Sequence, residues 1–415
     1  MVAQKVISRS IGPNSCYGGI LMKKGLRLPH LRKGMPWWLS ALICLVVIFG
    51  IFALFAVPMG LSNMFSTLMN TAFELLINTC FYIMAIAVLM GALSAFLTEF
   101  GVVKLLNKIL SPLMKPIYDL PGAAALGVVT TYLSDNPAIL SLAEDKGFKS
   151  FFKRYQLPAL TNIGTSFGMG LIVTTFMLGQ EGAAGGTLMP AVLVGNFAAV
   201  VGSVVSTRIM LGMTKRVYGK DTPSVDPSEI EEKKPREASE NKLGMRVMNA
   251  LLDGGKSGVT LGLEIIPGVV IICTIVMMLT NGMPEGGYTG AAYEGIGLLP
   301  KAADKLNFIL QPLFGFASSG GVSVPITALG SAGAAMGLVP TLLREGLANA
   351  HDVAVFTAMC MCWSGYLSTH VSMMDSLGYK YLTGKAIFSH TIGGLCAGIA
   401  ANWLYKLVAL IFALA

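Results

Sequence analysis

Residues 121–143, PGAAALGVVTTYLSDNPAILSLA, decide how this chain folds. The segment is apolar on both sides of a polar centre, and a proline, Pro137, closes that centre. A polar turn is tolerated at membrane depth only where protein or a cavity surrounds it. The segment therefore predicts a re-entrant hairpin, with its tip at Ser134, Asp135, Asn136 and Pro137, and not a crossing helix.

The composition of the whole chain is that of a membrane protein. Of its 415 residues, 54% are hydrophobic and only 13% are charged, and the mean hydropathy is +0.67. The formal net charge is +8, but Lys and Arg occur in short runs beside apolar segments, which is the positive-inside pattern of membrane loops. We therefore expect the lipid bilayer of the cytoplasmic (inner) membrane as the environment, a cytoplasmic N-terminus, and no nucleic acid polymer as partner.

A membrane-crossing helix needs about 20 apolar residues. Five segments meet this requirement: 37–60, 75–98, 186–211, 259–281 and 386–412. Two more segments, 157–179 and 353–378, are long enough but contain Gly, Ser and Thr, which predicts interrupted crossing helices. Residues 307–342 form a second candidate hairpin, centred on Pro325. The predicted fold is an all-α polytopic membrane protein with about seven crossing helices plus two re-entrant hairpins.

The segments form two halves of opposite orientation. Residues 213–248 are rich in Lys, Glu, Pro and Ser, which is typical of a solvated cytoplasmic linker. The linker follows a basic N-terminal segment, 1–36, and a first membrane half, 37–212, and it precedes a second half, 249–415. After one extra span, each half contains a crossing helix, a hairpin, an interrupted helix and a crossing helix. Three crossings per half invert the second half, and inverted repeats are the usual plan of secondary transporters.

The candidate site lies where hairpin tips and interrupted helices expose helix ends inside the bilayer. Free N–H groups there attract anionic atoms, and free carbonyls attract cations. Asp135 leads the candidates, because an ionisable side chain at membrane depth is costly. The substrate-binding candidates are Ser134, Asp135, Asn136, Ser319, Ser323, Ser364, Thr369, His370 and Asp375. The break at 161–166 supplies neutral oxygen ligands suited to Na⁺, from Asn162, Thr165 and Ser166.

Several of these ionisable residues have a structural alternative. Asp375 lies close to the cytoplasmic end of its helix and is equally well explained as interfacial. Glu264 is interfacial or pairs with Lys256. His370 is a hydrogen-bonded core histidine, a ligand or a proton carrier.

Two short motifs resemble those of enzymes, but each stands in the wrong context. Residues 164–168 match the G-x-S-x-G pattern of serine hydrolases, yet here they interrupt a membrane helix instead of forming a strand-to-helix turn. Residues 254–257 resemble the end of a phosphate-binding loop, but Ala250 stands where its first glycine is required. The seven cysteines form no metal-ligand spacing. We therefore expect neither an enzyme nor a metal centre.

The hairpin tip, Tyr132 to Pro137, and the break at 161–168 resemble those of bacterial membrane proteins with a nucleoside-recognition or Gate domain. That group includes the spore maturation proteins and the gate portion of the ferrous iron transporter, and its architecture is similar to that of the concentrative nucleoside transporters. The resemblance extends over roughly residues 75–412 as an order of elements. Residues 133–137 match the spacing of the transporters' Gln-Thr-Glu-Ala-Pro tip, with Asp135 in place of Glu. The resemblance implies that Asp135 contacts substrate and that Asn162, Thr165 and Ser166 help to hold Na⁺.

The sequence thus favours a secondary active transporter of a small polar solute, with a nucleoside or nucleobase as the named class, Na⁺ as coupling ion, no other cofactor and a homo-oligomeric state. One alternative is an ion or metal permease resembling the iron transporter gate, in which Cys360, Met361 and Cys362 would matter. The other is a non-transporting membrane scaffold protein, in which the 213–248 linker would dock a partner.

Overall fold

The computed structural model describes residues 36–136, 138–139, 146–225 and 243–414. These residues are largely helical and contain no β-strand, only an isolated bridge between Lys153 and Pro223. Six of the described helices are long and apolar enough to cross a membrane. The predicted all-α polytopic fold is confirmed, and the chain is a multi-pass membrane protein.

The first helix is α1 (Trp37–Met59), which is strongly apolar and exposed over almost its whole surface. The described residues up to Leu54 belong to one unit, and the described residues from Phe55 onward belong to a second unit. An apolar helix with an exposed surface is what lipid contact requires. Gly60, at φ +80°, ends α1.

The first half begins with a crossing helix that is longer than predicted. It starts at Leu61 and not at residue 75, because α2 (Leu61–Glu74) continues through a π-helical turn (Leu75–Cys80) into α3 (Phe81–Glu99). An amphipathic helix that was not predicted from the sequence, α4 (Val102–Tyr118), follows. The remaining elements are α5 (Ala124–Leu133), α6 (Lys146–Ser150), α7 (Ala159–Thr165), α8 (Gly170–Leu178), α9 (Glu181–Ala184) and α10 (Met189–Tyr218).

The second half repeats this order. Its crossing helix, α11 (Leu243–Pro267), continues through a π-helical turn (Gly268–Cys273) into α12 (Thr274–Thr280). The later elements are α13 (Leu298–Lys305), α14 (Asn307–Phe314), a 3₁₀ turn (Ser319–Val322), α15 (Ser323–Ala328), α16 (Ala332–Arg344), α17 (Ala350–Trp363), α18 (Tyr366–Ser376), a 3₁₀ turn (Lys380–Leu382) and α19 (Thr383–Leu414). Both ends of the predicted 213–248 linker are helical, and its residues 226–242 lie outside the described residues, as does the 1–35 segment.

Small residues let the two long helices α3 and α11 approach each other closely. Gly254, Gly258 and Gly262 repeat every four residues along one face of α11. Each lies against α3, where a Cβ at Gly258 would overlap the carbonyl oxygen of Ala87. Such four-residue spacing of small residues is common where membrane helices pack. Gly254 is therefore a helix-packing residue. It is the first residue of the 254–257 motif that resembles the end of a phosphate-binding loop.

A second close pair, α10 and α19, surrounds the buried helix α17. A Cβ at Gly202 of α10 would lie 2.6 Å from both the Gly393 carbonyl oxygen and the Ala397 Cβ of α19. Every residue of α17 from Asp352 to Trp363 is buried. A helix that is apolar on all sides belongs in the interior. The interrupted helix that begins with α17 is thus held at the centre of the second unit.

Candidate functional site

The first hairpin tip lies where the sequence predicts it. Helix α5 ends at Leu133, and Ser134 has a non-helical conformation. The Asn136 N–H donates to Oδ1 of Asp135 at 2.7 Å. The Asn136 side chain is 3% exposed, and its Nδ2 donates to the main-chain oxygen of Ser364 at 3.1 Å. Pro137 lies outside the described residues. The tip is therefore tied to the second half of the chain.

Both interrupted helices contain a real break. The first runs from Ser166 to Met169, which has φ +56°. This corrects the predicted break at 161–166, because α7 stays helical through Thr165. The second break is at Ser364 and Gly365, with φ +37° and +69°. Ser364 Oγ donates to the Gly168 carbonyl oxygen at 3.3 Å, so the two breaks touch.

The second hairpin turns at a different place from the one predicted. Pro325 is the third residue of α15, where proline is tolerated because first-turn N–H groups have no helical partner. The chain turns instead between α15 and α16, at residues 329–331. Ser331 caps α16 by accepting the Ala334 N–H at 3.2 Å. The predicted hairpin centre at Pro325 is therefore corrected to Gly330 and Ser331.

The two tips and the second break enclose one cavity of about 310 Å³. Four of the predicted site residues line it: Asp135, Asn136, Ser364 and Thr369. The other ten residues of the wall were not predicted as site residues. They are Met169, Leu261, Glu264, Ile265, Gly268, Gly330, Ser331, Ala332, Gly333 and Gly365. The two halves of the chain thus share a single polar cavity.

Five of the nine predicted substrate-binding residues are not part of this wall: Ser134, Ser319, Ser323, His370 and Asp375. Ser134 lies at the first tip but is exposed and does not line the cavity. Ser319 lines a separate cavity of about 350 Å³ beside Thr280. Ser323 is buried and donates to the Gly320 carbonyl oxygen at 2.7 Å. The Asp375 carboxylate lies 3.3 Å from the Lys380 ammonium group, and the Asp375 side chain is 57% exposed. This position agrees with the alternative that Asp375 is interfacial.

His370 also lies away from the cavity, in a buried group of rings. Its ring centroid is 4.6 Å from that of His390 and 5.6 Å from that of Tyr366. Neither ring nitrogen makes a hydrogen bond of good geometry to a described residue, although the ring lies near the Tyr366 carbonyl. Both ring nitrogens of His390 have a hydrogen-bond partner. Nδ1 lies 2.8 Å from Ser206 Oγ, and Nε2 lies 2.7 Å from the Cys362 carbonyl oxygen. Because a carbonyl only accepts, Nε2 of His390 carries the proton.

The three candidate cation ligands are fully buried behind the first break. Asn162 Nδ2 donates to Ser206 Oγ and Ser389 Oγ, both at 2.8 Å. Thr165 Oγ1 lies 3.8 Å from the sulfur of Met373. Ser166 Oγ donates to the Asn162 carbonyl oxygen at 2.8 Å, which leaves the serine of the hydrolase-like motif without exposure to any reactant. The three side chains belong to the helix contacts of α7 and do not line the cavity.

Glu264 lines the cavity, although the sequence left open whether it is interfacial or pairs with Lys256. Its proposed partner Lys256 instead contacts Asp253, at 3.1 Å. Glu264 has no hydrogen bond or ion pair within the described part of the chain, and it faces the cavity from α11. The signal for its role was an acidic residue inside an apolar helix.

The residues of the metal-permease alternative are not at the cavity. Cys360, Met361 and Cys362 are fully buried in α17, and none of them lines its wall. Over the described ranges, no group of three or more His, Cys, Asp or Glu residues is arranged to hold a metal ion.

Comparison with known proteins agrees with this fold. Residues 80–181 match the Gate family, which is described as nucleoside recognition. No curated protein matches the chain. Similar solved structures include a doubly substituted CNTnw in an outward-facing state, at 14% identity and a TM-score of 0.51, covering 89% of this chain and 86% of that one. CNTnw in an inward-facing substrate-bound state is 14% identical, with a TM-score of 0.50, covering 89% and 84%. The resemblance stated from the sequence is confirmed: the chain carries a Gate segment and the fold of the concentrative nucleoside transporters.

Proposed function

We propose that this chain is a secondary active transporter that moves a small polar solute by alternating access, with the cavity between the two hairpin tips as its binding site. The observation that carries the proposal is the shared wall of that cavity. Asp135 and Asn136 come from the first half, and Ser331, Ser364 and Thr369 come from the second. Binding sites at the interface of inverted repeats are the rule in such transporters.

Helix ends supply the chemistry of this site. Helix α5 ends just before Asp135, and α16 begins at Ala332, so the end of one helix and the start of another lie next to the cavity wall. The Gate match makes a nucleoside or nucleobase the first class of solute to test. The CNTnw structures with this fold include an outward-facing and an inward-facing substrate-bound state, which supports alternating access.

Sodium is the coupling ion that we propose, because neutral oxygens suit a hard monovalent cation. Asn162, Thr165 and Ser166 supply such oxygens beside the first break, and all three are buried. We further propose that the protein is a homo-oligomer of the inner membrane with its N-terminus in the cytoplasm. The positive-inside pattern of its loops supports that orientation.

Uptake into proteoliposomes tests the proposal. Purified protein is reconstituted, and a panel of labelled nucleosides, nucleobases and other small polar solutes is offered under an inward Na⁺ gradient or an inward pH gradient. We expect accumulation of at least one solute, dependent on Na⁺. Accumulation driven by the pH gradient alone would contradict the coupling ion, and no uptake of any solute would contradict transport.

A further inference from the structure

Two carboxylates from different parts of the fold face the same cavity. Asp135 lies at the first hairpin tip, and Glu264 lies on α11, the helix that packs against α3 through its glycines. No Lys, Arg or His is present among the described residues of this wall. Asp135 is half-buried and Glu264 is exposed, and holding two like charges beside one cavity is costly because they repel each other. A cation in the cavity would offset that cost.

The acceptors of this wall are largely unused. Among the described residues, Asp135 accepts one hydrogen bond, from the Asn136 N–H to Oδ1. Glu264 accepts none from the described residues. Asn136 Oδ1 also has no donor among them, but it is buried against Gly168, which does not line the cavity. A carboxylate oxygen that loses water when the cavity is filled needs a donor from the occupant, because an acceptor left without one costs more than an average hydrogen bond contributes. The occupant that suits this wall therefore carries several N–H or O–H donors.

The side-chain donors of the wall are mostly committed to the protein itself. Ser364 Oγ donates to the Gly168 carbonyl oxygen at 3.3 Å. Thr369 Oγ1 donates to the Gly365 carbonyl oxygen at 3.1 Å. The remaining donors lie at the start of α16: the Ser331 hydroxyl, whose oxygen accepts the Ala334 N–H, and the first-turn N–H groups of Ala332 and Gly333, which have no helical partner. The wall is thus rich in acceptors and negative charge around Asp135 and Glu264, with donors only at the start of α16.

We propose that the transported solute carries a protonated amine, which binds between Asp135 and Glu264 while an acceptor group of the solute faces the first turn of α16. This inference rests on the proposed transport function and specifies its substrate class. The cavity of about 310 Å³ limits the solute to a compact molecule, since small-ligand pockets start at about 300 Å³.

Matched pairs of solutes that differ only in the amine test the inference. The probes are 5′-amino-5′-deoxyuridine against uridine, and ethanolamine against ethylene glycol. Binding is read as the shift in melting temperature of the protein in lipid nanodiscs, and transport as uptake into proteoliposomes, each with and without Na⁺. We expect an amine to bind at least about tenfold more tightly than its neutral counterpart, because hydrogen bonds to charged groups are worth about 1.5–3 kcal/mol.

A pair of variants assigns the preference to this wall. Glu264→Gln keeps the shape of the side chain and removes its charge, so we expect the amine preference to fall about tenfold. Asp253→Asn is the matched control: it removes a carboxylate from the same helix at a position that is exposed, is paired with Lys256 and lies outside the cavity. This control should keep the full preference.

The outcomes separate this inference from the proposed function. Uptake of uridine without any preference for the amine would leave transport standing and overturn the inference. An unchanged amine preference in Glu264→Gln would also overturn the inference. An amine that competes with Na⁺ but is never taken up would overturn it as well, because the cavity would then hold the coupling cation. If no probe shifted the melting temperature and none was taken up, both the inference and the proposed function would be overturned.

Discussion

Asn136 donates a hydrogen bond from Nδ2 to the main-chain oxygen of Ser364 at 3.1 Å, although 228 positions separate the two residues. The bond joins the first hairpin tip to the break in the second interrupted helix. Ser364 in turn donates to the Gly168 carbonyl oxygen at the other break. These two hydrogen bonds tie together three non-helical segments, so both halves of the chain meet at the cavity.

The contact predicts that residue 168 must be glycine. A Cβ at Gly168 would overlap Oδ1 of Asn136, so Gly168→Ala must displace the hairpin tip. We expect the free energy of unfolding to fall by about 1–3 kcal/mol, the usual range for overpacking. Thermal unfolding of the purified protein measures it. Gly182→Ala is the control, because its Cβ meets nothing within 4 Å; equal melting temperatures for the two variants would refute the contact.

The glycines of α11 give a second packing prediction. Gly258→Ala places a methyl group against the Ala87 carbonyl oxygen and must push α3 and α11 apart. We expect a clear loss of stability, again about 1–3 kcal/mol, together with a lower yield of monodisperse protein. Gly255→Ala is the matched control on the same helix, because its Cβ would make an ordinary contact of 3.6 Å with Val88. A larger effect at Gly255 than at Gly258 would disprove the proposed packing.

A carboxylate outside the membrane-spanning segments gives a pH prediction. Burial alone would raise the pKa of Glu294, but hydrogen bonds from Thr289, Gly290 and Ala291 outweigh it and lower the pKa below 4.5. A group whose pKa is lowered by folding stabilises the protein above its unfolded pKa, and this contribution is lost as the pH falls through the folded pKa. Glu294 also accepts a hydrogen bond from Thr67 of α2 at 3.3 Å, so it fastens the 281–297 loop.

We therefore expect Glu294→Gln to lower the melting temperature at pH 7 and to differ less from the wild type as the pH falls below about 4.5. Melting curves at several pH values test this. Glu285→Gln, in an exposed part of the same loop, serves as control and should show no such dependence. A difference between wild type and Glu294→Gln that grows on acidification would reverse the sign and contradict the assignment.

The inverted topology predicts opposite labelling of the two loops that flank α11 and α12. In a background with Cys16 and Cys44 replaced by serine, Lys220→Cys should react only with reagents that reach the cytoplasm. Glu285→Cys should react from outside, because a single crossing separates the two positions. Both positions are exposed in the fold, so access to the reagent is not limited by burial. Labelling of both from the same side would exclude this topology.

The first hairpin was predictable because its chemistry is conspicuous. Asp135 and Asn136 stand between two apolar runs and precede Pro137, and only a turn supported by protein makes such a sequence tolerable in a membrane. The centre of the second hairpin was predicted at the wrong place because Pro325 lies in the first turn of a helix, where proline is tolerated. Its true tip, at Gly330 and Ser331, has no charged residue to mark it within a run of small residues.

The first break and Glu264 could not be derived from sequence for a different reason. The first break ends at Met169, whose φ of +56° is unusual for a residue with a side chain. The face of α11 that carries Glu264 meets the cavity only because the glycines of that helix fix its rotation against α3. Such relationships depend on long-range packing, which local sequence patterns do not report.

The most direct test of the account is the apparent affinity of Asp135→Asn for the solute and for the coupling cation. This substitution keeps the size of the side chain and removes the charge, and Asp135 has no basic partner among the described residues of the cavity wall. We predict normal insertion and folding, with affinity for the solute or the cation reduced at least about tenfold, or about 1.4 kcal/mol, and a larger loss for Asp135→Ala. Normal affinity of Asp135→Asn for both would contradict a binding site at the hairpin tip.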